Sequence, residues 1–301
     1  MGVQDLFRLE EESDSPQATA RLAGGSTYAG APLRLCRVDG KLVAVPWSPD
    51  VFAVPLADAT ARGDSSAGSV TAGLWGVRNL NEGRLLIAGC DPAVSILAGS
   101  LQRLAQVELI AVPSSSRKAL QLLEDGLVHL AGTHLSKSAA HIPPNCRVFT
   151  FAEWEEGLVV SKGNPLGIRG FGDLKAAVRI INREVGSGSR ALLDSGLAEA
   201  GLTGAAVAGY KRLAPGHLSA AMAVARGDVD CCVAPRIAAN VFGLDFLPLL
   251  AERYELVIPE QRLDLPSMQA LLDVLQRGSL RRELEALGGY DTSSTGSEVR
   301  G

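Results

Sequence analysis

The sequence predicts an α/β fold with a small β segment ahead of it, on three observations. From Arg84 onward, apolar runs with strand character alternate with stretches of helical spacing. The strand ends are followed by small or polar residues that open the next helix, at "GCDP" (89–92), "PSSS" (113–116), "GTHL" (132–135), "GSGSR" (186–190), "GH" (216–217) and "APR" (234–236). The chain has 301 residues, 47% of them hydrophobic, enough for two domains or one bilobed one.

Residues 1–83 have a different character. "DLFRLEEE" (5–12) reads as the last turn of a helix, and a Gly/Ser/Ala-rich connection comes next at 23–31. "PLRLCRV" and "KLVAVPW" flank Asp39-Gly40, a strong two-residue hairpin signal. "ARGDSSAGSV" (61–70) has the composition of a flexible linker.

The alternating region spans 84–301. "RLLIAG" (84–89) is a strand, "DPAVSILAGSLQRLAQ" (91–106) a helix with Pro92 in its first turn, and "VELIAVP" (107–113) a strand. "SRKALQLLEDG" (116–126) is a helix closed by Gly126, and "LVHLAGTHL" (127–135) a strand. "RVFTFAEWEEGLVVSKG" (147–163) reads as two strand pieces, "GFGDLKA" (170–176) as a short helix and "AAVRIIN" (176–182) as a strand. Leu192, Leu193, Leu197 and Leu202 give the next helix its apolar face. "GHLSAAMAVARGD" (216–228) is a helix, "VDCCVAP" (229–235) a strand, "RIAANVFGL" a helix, and "FLPLLAERYELVIP" (246–259) is extended. A helix pair, "SMQALLDVLQRGSLRRELEAL", closes the series. Repeated βα units imply a largely parallel sheet with helices on its faces, where ligands bind beyond the strands' carboxyl ends.

Gly186-Ser187-Gly188-Ser189-Arg190 exposes helix-start N–H groups with no bulky side chain in front of them, a setting that attracts anions. The first three strand-end turns fall in one half of the region and the last three in the other. They therefore read as two facing jaws around a small polar ligand.

Charge and composition exclude several classes. A net charge of −4 with no basic run offers no footprint for direct DNA binding. No apolar stretch has membrane-span length, and the acidic start lacks a secretory pattern. The five cysteines (Cys36, Cys90, Cys146, Cys231, Cys232) have no zinc-type spacing and read as free thiols of a cytoplasmic protein. Cys231 and Cys232, adjacent in a strand, should point to opposite faces. No motif indicates a metal, a cofactor or a catalytic constellation, so no enzymatic role is expected.

Taken in order, "GCDPAVSILAGSL", "GTHL", "EEGLVVSKGNPLGI", "INREVGSGSRALLD", "GYKRLAPGHLSAAMAVARGDVDCCVAPRIAANVFGLDFLPLLAERYELVIP" and "GGYDTSSTG" resemble a known family. It is the periplasmic-binding-protein-like domain found in some molybdenum-cofactor biosynthesis proteins and, behind helix-turn-helix segments, in bacterial one-component regulators. The resemblance spans residues 84–296 and implies a bilobed type II fold. Its two crossing strands would lie near 149–160 and 246–258, with lobe I at 84–152 and 253–301 and lobe II at 153–252. Relatives bind molybdate, tungstate or other small anions at helix N-termini. Ser189 replaces the family's usual threonine, and Gly216-His217 replaces a Thr-His pair. Residues 1–83 resemble the segment behind the DNA-reading part of the regulators and allow a homodimer through it.

The resemblance and the strand ends together nominate Cys90, Asp91, Ser114, Ser115, Ser116, Thr133, His134, Ser187, Gly188, Ser189, Arg190, His217 and Arg236 as ligand-binding. For His134 and His217 a structural role weighs equally. Arg190 can bind an anion or pair with Asp194, the ligand reading being favoured, and Arg236 either lines the cleft or pairs with a carboxylate. Three hydroxyls at 114–116 exceed what a helix cap requires. His129 and His141 read as structural or exposed, and Glu153, Glu155 and Glu156 as a solvated hinge edge. The expected function is a cytoplasmic ligand sensor, the effector-binding part of a transcriptional regulator; the alternative is a molybdate- or tungstate-type oxyanion module. Asp91 on one jaw and Arg190 on the other favour a polar organic ligand over a bare dianion.

Overall fold

The Asp39-Gly40 turn forms where the sequence places it, with both residues in the left-handed region (φ 49° and 77°). It joins β2 (Pro32–Val38) to β3 (Lys41–Pro46) in an antiparallel hairpin. In this computed structural model the described residues are 17–24, 26–46, 57–65, 68–75, 83–134, 142–175 and 177–299. The helix tail expected at 5–12 and His141 lie outside them. The chain divides into two units, Met1–Glu82 and Gly83–Gly301.

In the first unit the hairpin is part of something larger. β1 (Gln17–Leu22), β4 (Ala59–Ala61) and β5 (Ser69–Leu74) join it in a closed barrel of order β1-β3-β2-β4-β5. The expected hairpin is thus present within a larger barrel, and the flexible linker over 61–70 is corrected. Ala61 and Ala72 are paired across the β4/β5 ladder, so both ends of the Gly/Ser stretch belong to barrel strands. The composition misled for a physical reason: a five-stranded barrel has a narrow interior, and Ala20, Ala44, Ala59, Ala61 and Ala72 fill it with Leu33, Leu35 and Val70.

The second unit is one eight-stranded sheet flanked by helices, of order β10-β11-β9-β12-β8-β6-β7 with β13 on β9. Its first half contains β6 (Arg84–Gly89), α1 (Val94–Ala105), β7 (Glu108–Pro113), α2 (Ser116–Glu124) and β8 (Leu130–Thr133), with β6, β7 and β8 parallel. β9 (Cys146–Val160) leads to β10 (Ile180–Ile181), α3 (Gly188–Glu199), α4 (His217–Ala225), β11 (Cys231–Pro235) and α5 (Arg236–Phe242). β12 (Asp245–Pro259) returns to α6 (Pro266–Leu275), α7 (Gly278–Ala286) and β13 (Tyr290–Asp291).

Residues 147–160, expected as two strand pieces, belong to one 15-residue strand. β9 pairs with β12 from Asp245↔Val160 to Pro259↔Cys146, and register shifts at Pro248/Leu250 and Tyr254/Glu255 absorb the twist of so long a pair. These two strands are the expected crossings. Around one end packs a core of Leu85, Ile87, Leu97, Leu101 and Leu130 with Met268 and Leu271. Around the other, Val159, Cys232 and Ala234 belong to one cluster and Leu158, Cys231 and Val233 to another, so the adjacent cysteines do face opposite sides of the sheet. Two boundaries shift. Pro92 lies in the turn ahead of α1, and β8 begins only at Leu130, just past the buried His129, whose Nδ1 accepts the Leu86 N–H (2.9 Å). Among the described residues no helix is long and apolar enough to cross a membrane.

Candidate functional site between the crossing strands

In the middle of β9 side chains alternate, Glu153 and Glu155 on one face, Trp154 and Glu156 on the other. The register with β12 sets Glu252 opposite Trp154 and Tyr254 opposite Ala152, so these share the second face. On the first face Glu153 pairs with Arg253 and Glu155 with Arg236, a half-exposed ionic edge as expected. Glu156 is the correction: it is fully buried, and Ser189 donates its hydroxyl to Oε1 at 2.6 Å.

Trp154 is the centre of the second face. Its ring contacts His134 edge-on (centroids 5.3 Å), His217 (5.8 Å), Tyr254 (5.5 Å) and Tyr290 (6.4 Å). Tyr254 reaches this position only because two strand-end residues are glycines. A Cβ on Gly89 would lie 2.1 Å from its hydroxyl oxygen, and one on Gly132 2.0 Å. The hydroxyl accepts the Cys90 N–H at 3.3 Å. Gly132→Ala is therefore expected to cost about 1–3 kcal/mol by overpacking, read as a lower urea midpoint with unchanged slope. An unaltered midpoint would show that Tyr254 is free to move aside.

Charged groups surround these rings. Asp91 accepts from the Tyr290 hydroxyl (2.7 Å) and the Ala93 N–H (2.8 Å), and burial raises its pKa from 3.8 to about 6. Burial likewise lifts Glu156 from 4.5 to about 7. His134 Nδ1 meets Glu252 Oε2 at 2.6 Å. Burial disfavours the imidazolium, yet interactions with Cys90 and Glu252 outweigh it and hold the pKa well above 6.5. His217, at the start of α4, is pushed well below 6.5 by burial and by the positive charges of Arg183 and His134, so it is neutral. Arg183, just beyond β10, is buried and forks onto Glu184 through Nε and Nη2.

Six buried polar atoms here find no hydrogen-bond partner among the described residues: Asp91 Oδ2, Trp154 Nε1, Glu156 Oε2, Arg183 Nη1 and both ring nitrogens of His217. Unpaired buried groups cost several kcal/mol in an apolar setting, so native proteins leave few of them. The six belong to one connected set. Tyr290 links Asp91 to Trp154, Trp154 touches His217, and Arg183 acts on both His217 and Glu156.

The nominated jaws meet around this set. A Cβ on Gly188 would lie 2.1 Å from His134 Cε1, so the start of α3 closes against the end of β8. A Cβ on Gly186 would lie 4.0 Å from Ser115 Oγ. Asp91, His134, Ser189 and His217 are thus brought together, with Cys90 beside His134. Others serve local structure. Ser187 caps α3 through the Arg190 N–H, Ser114 donates to the Val112 carbonyl, and Ser116 accepts the His134 N–H. Ser115 occupies the N-cap position of α2 without a side-chain cap bond, and Thr133 is a buried strand residue opposite Glu255. Arg190 takes its pairing alternative, with Nε on Asp194 (3.0 Å) and the guanidinium over the Tyr210 ring (4.3 Å). Arg236 does the same with Glu155 and Phe246.

Sequence reasoning missed Trp154, Glu156, Arg183, Glu252, Tyr254 and Tyr290. The two-residue alternation of "EWEE" was a signal for Trp154 and Glu156, and "GGYD" for Tyr290. Tyr254 and Glu252 carry none, since only the β9/β12 register brings them in. No group of His, Cys, Asp and Glu among the described residues is arranged to hold a metal ion.

The model of the PBP superfamily domain matches residues 98–276. The uncharacterized protein YvgK of Bacillus subtilis is 32% identical over 227 residues, 71% of this chain and 73% of its own. Among solved structures, a phosphate ABC transporter substrate-binding protein of Clostridium perfringens with bound phosphate superposes with a TM-score of 0.56. The identity is 11%, over 69% of this chain and 99% of that one. An H2O2-bound cysteine-to-serine mutant of Corynebacterium glutamicum OxyR gives 0.51 at 15% identity, over 68% and 66%.

Proposed function

The chain belongs to the PBP superfamily, whose fold its second unit has, and from that premise we propose a sensor domain that closes on a small polar organic molecule. The six unpartnered buried atoms carry this reading. Asp91 Oδ2 and Glu156 Oε2, when ionised, ask a ligand for donors, whereas Trp154 Nε1 and Arg183 Nη1 ask it for acceptors. A molecule bearing both an amine or hydroxyl end and an anionic end supplies both kinds. A bare tetrahedral dianion supplies acceptors only and would face the carboxylates of Asp91, Glu156 and Glu252. Closure of the lobes would be the signal passed to a DNA-binding partner domain in a cytoplasmic regulator. The domain itself would perform no chemistry of turnover and make no direct contact with DNA.

A second reading, the molybdate- or tungstate-type oxyanion module, draws on one observation. Asp91 and Glu156 have pKa values raised to about 6 and about 7, so in acid both become donors to an anion. The two readings separate in a thermal-shift screen at pH 5.5 and pH 8. The probes are molybdate, tungstate, phosphate, and a panel of amino acids and hydroxy acids. Binding at a hundred times Kd adds about 2.7 kcal/mol, a visible shift. We expect the shift from an organic probe at pH 8, lost in Asp91→Asn. A larger shift from an oxyanion at both pH values would overturn the organic reading.

A further inference from the structure

We propose that the cleft selects a short diamino acid, with one ammonium group on Asp91, the other on Glu156 and the carboxylate on Arg183. This rests on the organic reading above and narrows it from any polar molecule to one of net positive charge. Asp91 and Glu156 are 5% and 0% exposed, yet each keeps one oxygen without a partner among the described residues, Asp91 Oδ2 and Glu156 Oε2. The oxygens that are engaged meet only neutral donors. Asp91 Oδ1 accepts from the Tyr290 hydroxyl (2.7 Å) and the Ala93 N–H (2.8 Å), and Glu156 Oε1 from the Ser189 hydroxyl (2.6 Å).

The cations that could neutralise them are already committed. The charged groups around the cleft are Asp91 ahead of α1, His134 past β8, Glu156 on β9, Arg183 and Glu184 past β10, and Glu252 on β12. From α3, α4 and β13 come the neutral Ser189, His217 and Tyr290. His134 pairs through Nδ1 with Glu252 (2.6 Å), and Arg183 forks onto Glu184 through Nε (3.0 Å) and Nη2 (3.1 Å). Four carboxylates therefore face two cations, and Asp91 and Glu156 are the pair left over.

Charge and hydrogen bonding together narrow the ligand. A buried carboxylate without a counter-charge is strongly disfavoured. A monoamino acid supplies a counter-charge to only one of the two. A plain diamine supplies both but leaves the buried donors Arg183 Nη1 and Trp154 Nε1 without an acceptor. A diamino acid gives each carboxylate its own ammonium group and the donors their acceptor. Asp91 is bonded at the start of α1 and Glu156 at the start of α3, so the two ammonium groups would tie one jaw to the other. Burial holds these carboxyls up, at about 6 and about 7. A bound cation favours their ionised forms, so binding should be tighter at pH 8 than at pH 5.5.

The experiment is calorimetric titration of the full chain at pH 8 with three molecules of one skeleton. These are ornithine, norvaline, which lacks the second ammonium group, and putrescine, which lacks the carboxylate. Lysine and 2,4-diaminobutyrate, each against its monoamino counterpart, vary the spacing. The best diamino acid should bind at least about tenfold more tightly than its monoamino counterpart and than putrescine. Glu156→Gln, which keeps an acceptor for Ser189, should weaken the diamino acid alone and bring its preference over the monoamino acid down to about twofold or less. Equal weakening of both probes would make Glu156 a structural residue and overturn its assignment. A monoamino or hydroxy acid bound as tightly as any diamino acid would overturn the cationic class and leave the organic reading standing, whereas a preference for molybdate or phosphate would overturn both. No heat from any diamino acid at about 10 mM would also overturn the inference.

Discussion

Replacing Glu156 by glutamine is expected to stabilise the ligand-free protein by about 3 kcal/mol at pH 8 relative to its effect at pH 4. The magnitude comes from burial, which raises this carboxyl from 4.5 to about 7. Between those values the folded chain holds a proton that the unfolded chain has lost. The folded state binds more protons there, so wild-type stability is full below about 4.5, falls as the pH rises to about 7, and is flat beyond. Glutamine keeps an acceptor for the Ser189 hydroxyl and removes the titration. His134 and His217 titrate in both proteins, and because His134 acts on Glu156 the difference between the two urea curves reports Glu156 together with its coupling to His134. Parallel stability curves from pH 4 to 8 would show that Glu156 ionises normally and that water reaches it. Asp91, raised to about 6 from 3.8, predicts the same sign over a window about one unit more acidic.

The sheet order was not written in any local stretch, whereas most elements were. The βα alternation from Arg84 and the Asp39-Gly40 turn were legible because each depends on neighbours within about a dozen residues, whereas the two crossings, which pair across some hundred residues, came only with the family resemblance. The barrel was not, since β1 pairs with β5 across some fifty residues of chain and alanines carry no strand signal. The site divides the same way. Asp91, Ser189 and His217 sit at or just ahead of helix starts and His134 just past a strand end, where spacing points to them. Tyr254 enters because Gly89 and Gly132, on two other strands, leave room for its hydroxyl. Arg190 pairs with Asp194 and lies over the Tyr210 ring because an i,i+4 partner and that ring are both at hand, and a cation takes the nearest desolvated partners. Glu156 was misjudged because "EWEE" reads as uniformly acidic, while strand alternation sends one carboxylate inward for each one it sends out.

Trp154 should separate what holds the fold from what holds the ligand. Its side chain is among the largest fully buried ones and touches rings from both sides of the crossing, His134 and His217 included. Trp154→Ala removes those contacts and leaves a cavity, at an expected cost of about 3–5 kcal/mol. Trp154→Phe keeps an aromatic ring in place and deletes the indole N–H, which has no partner among the described residues. Removing a buried donor that bonds to nothing relieves a desolvation penalty, so phenylalanine should cost clearly less than alanine and only through its smaller volume. Binding should rank differently. If the N–H bonds the ligand, phenylalanine should weaken the affinity for whichever probe the thermal-shift screen identifies by about 1–3 kcal/mol, five- to 150-fold in Kd. The measurements are urea denaturation of the free proteins and calorimetric titration with that probe. Equal affinity of wild type and Trp154→Phe would move the ligand off the indole nitrogen and leave Trp154 a packing residue alone.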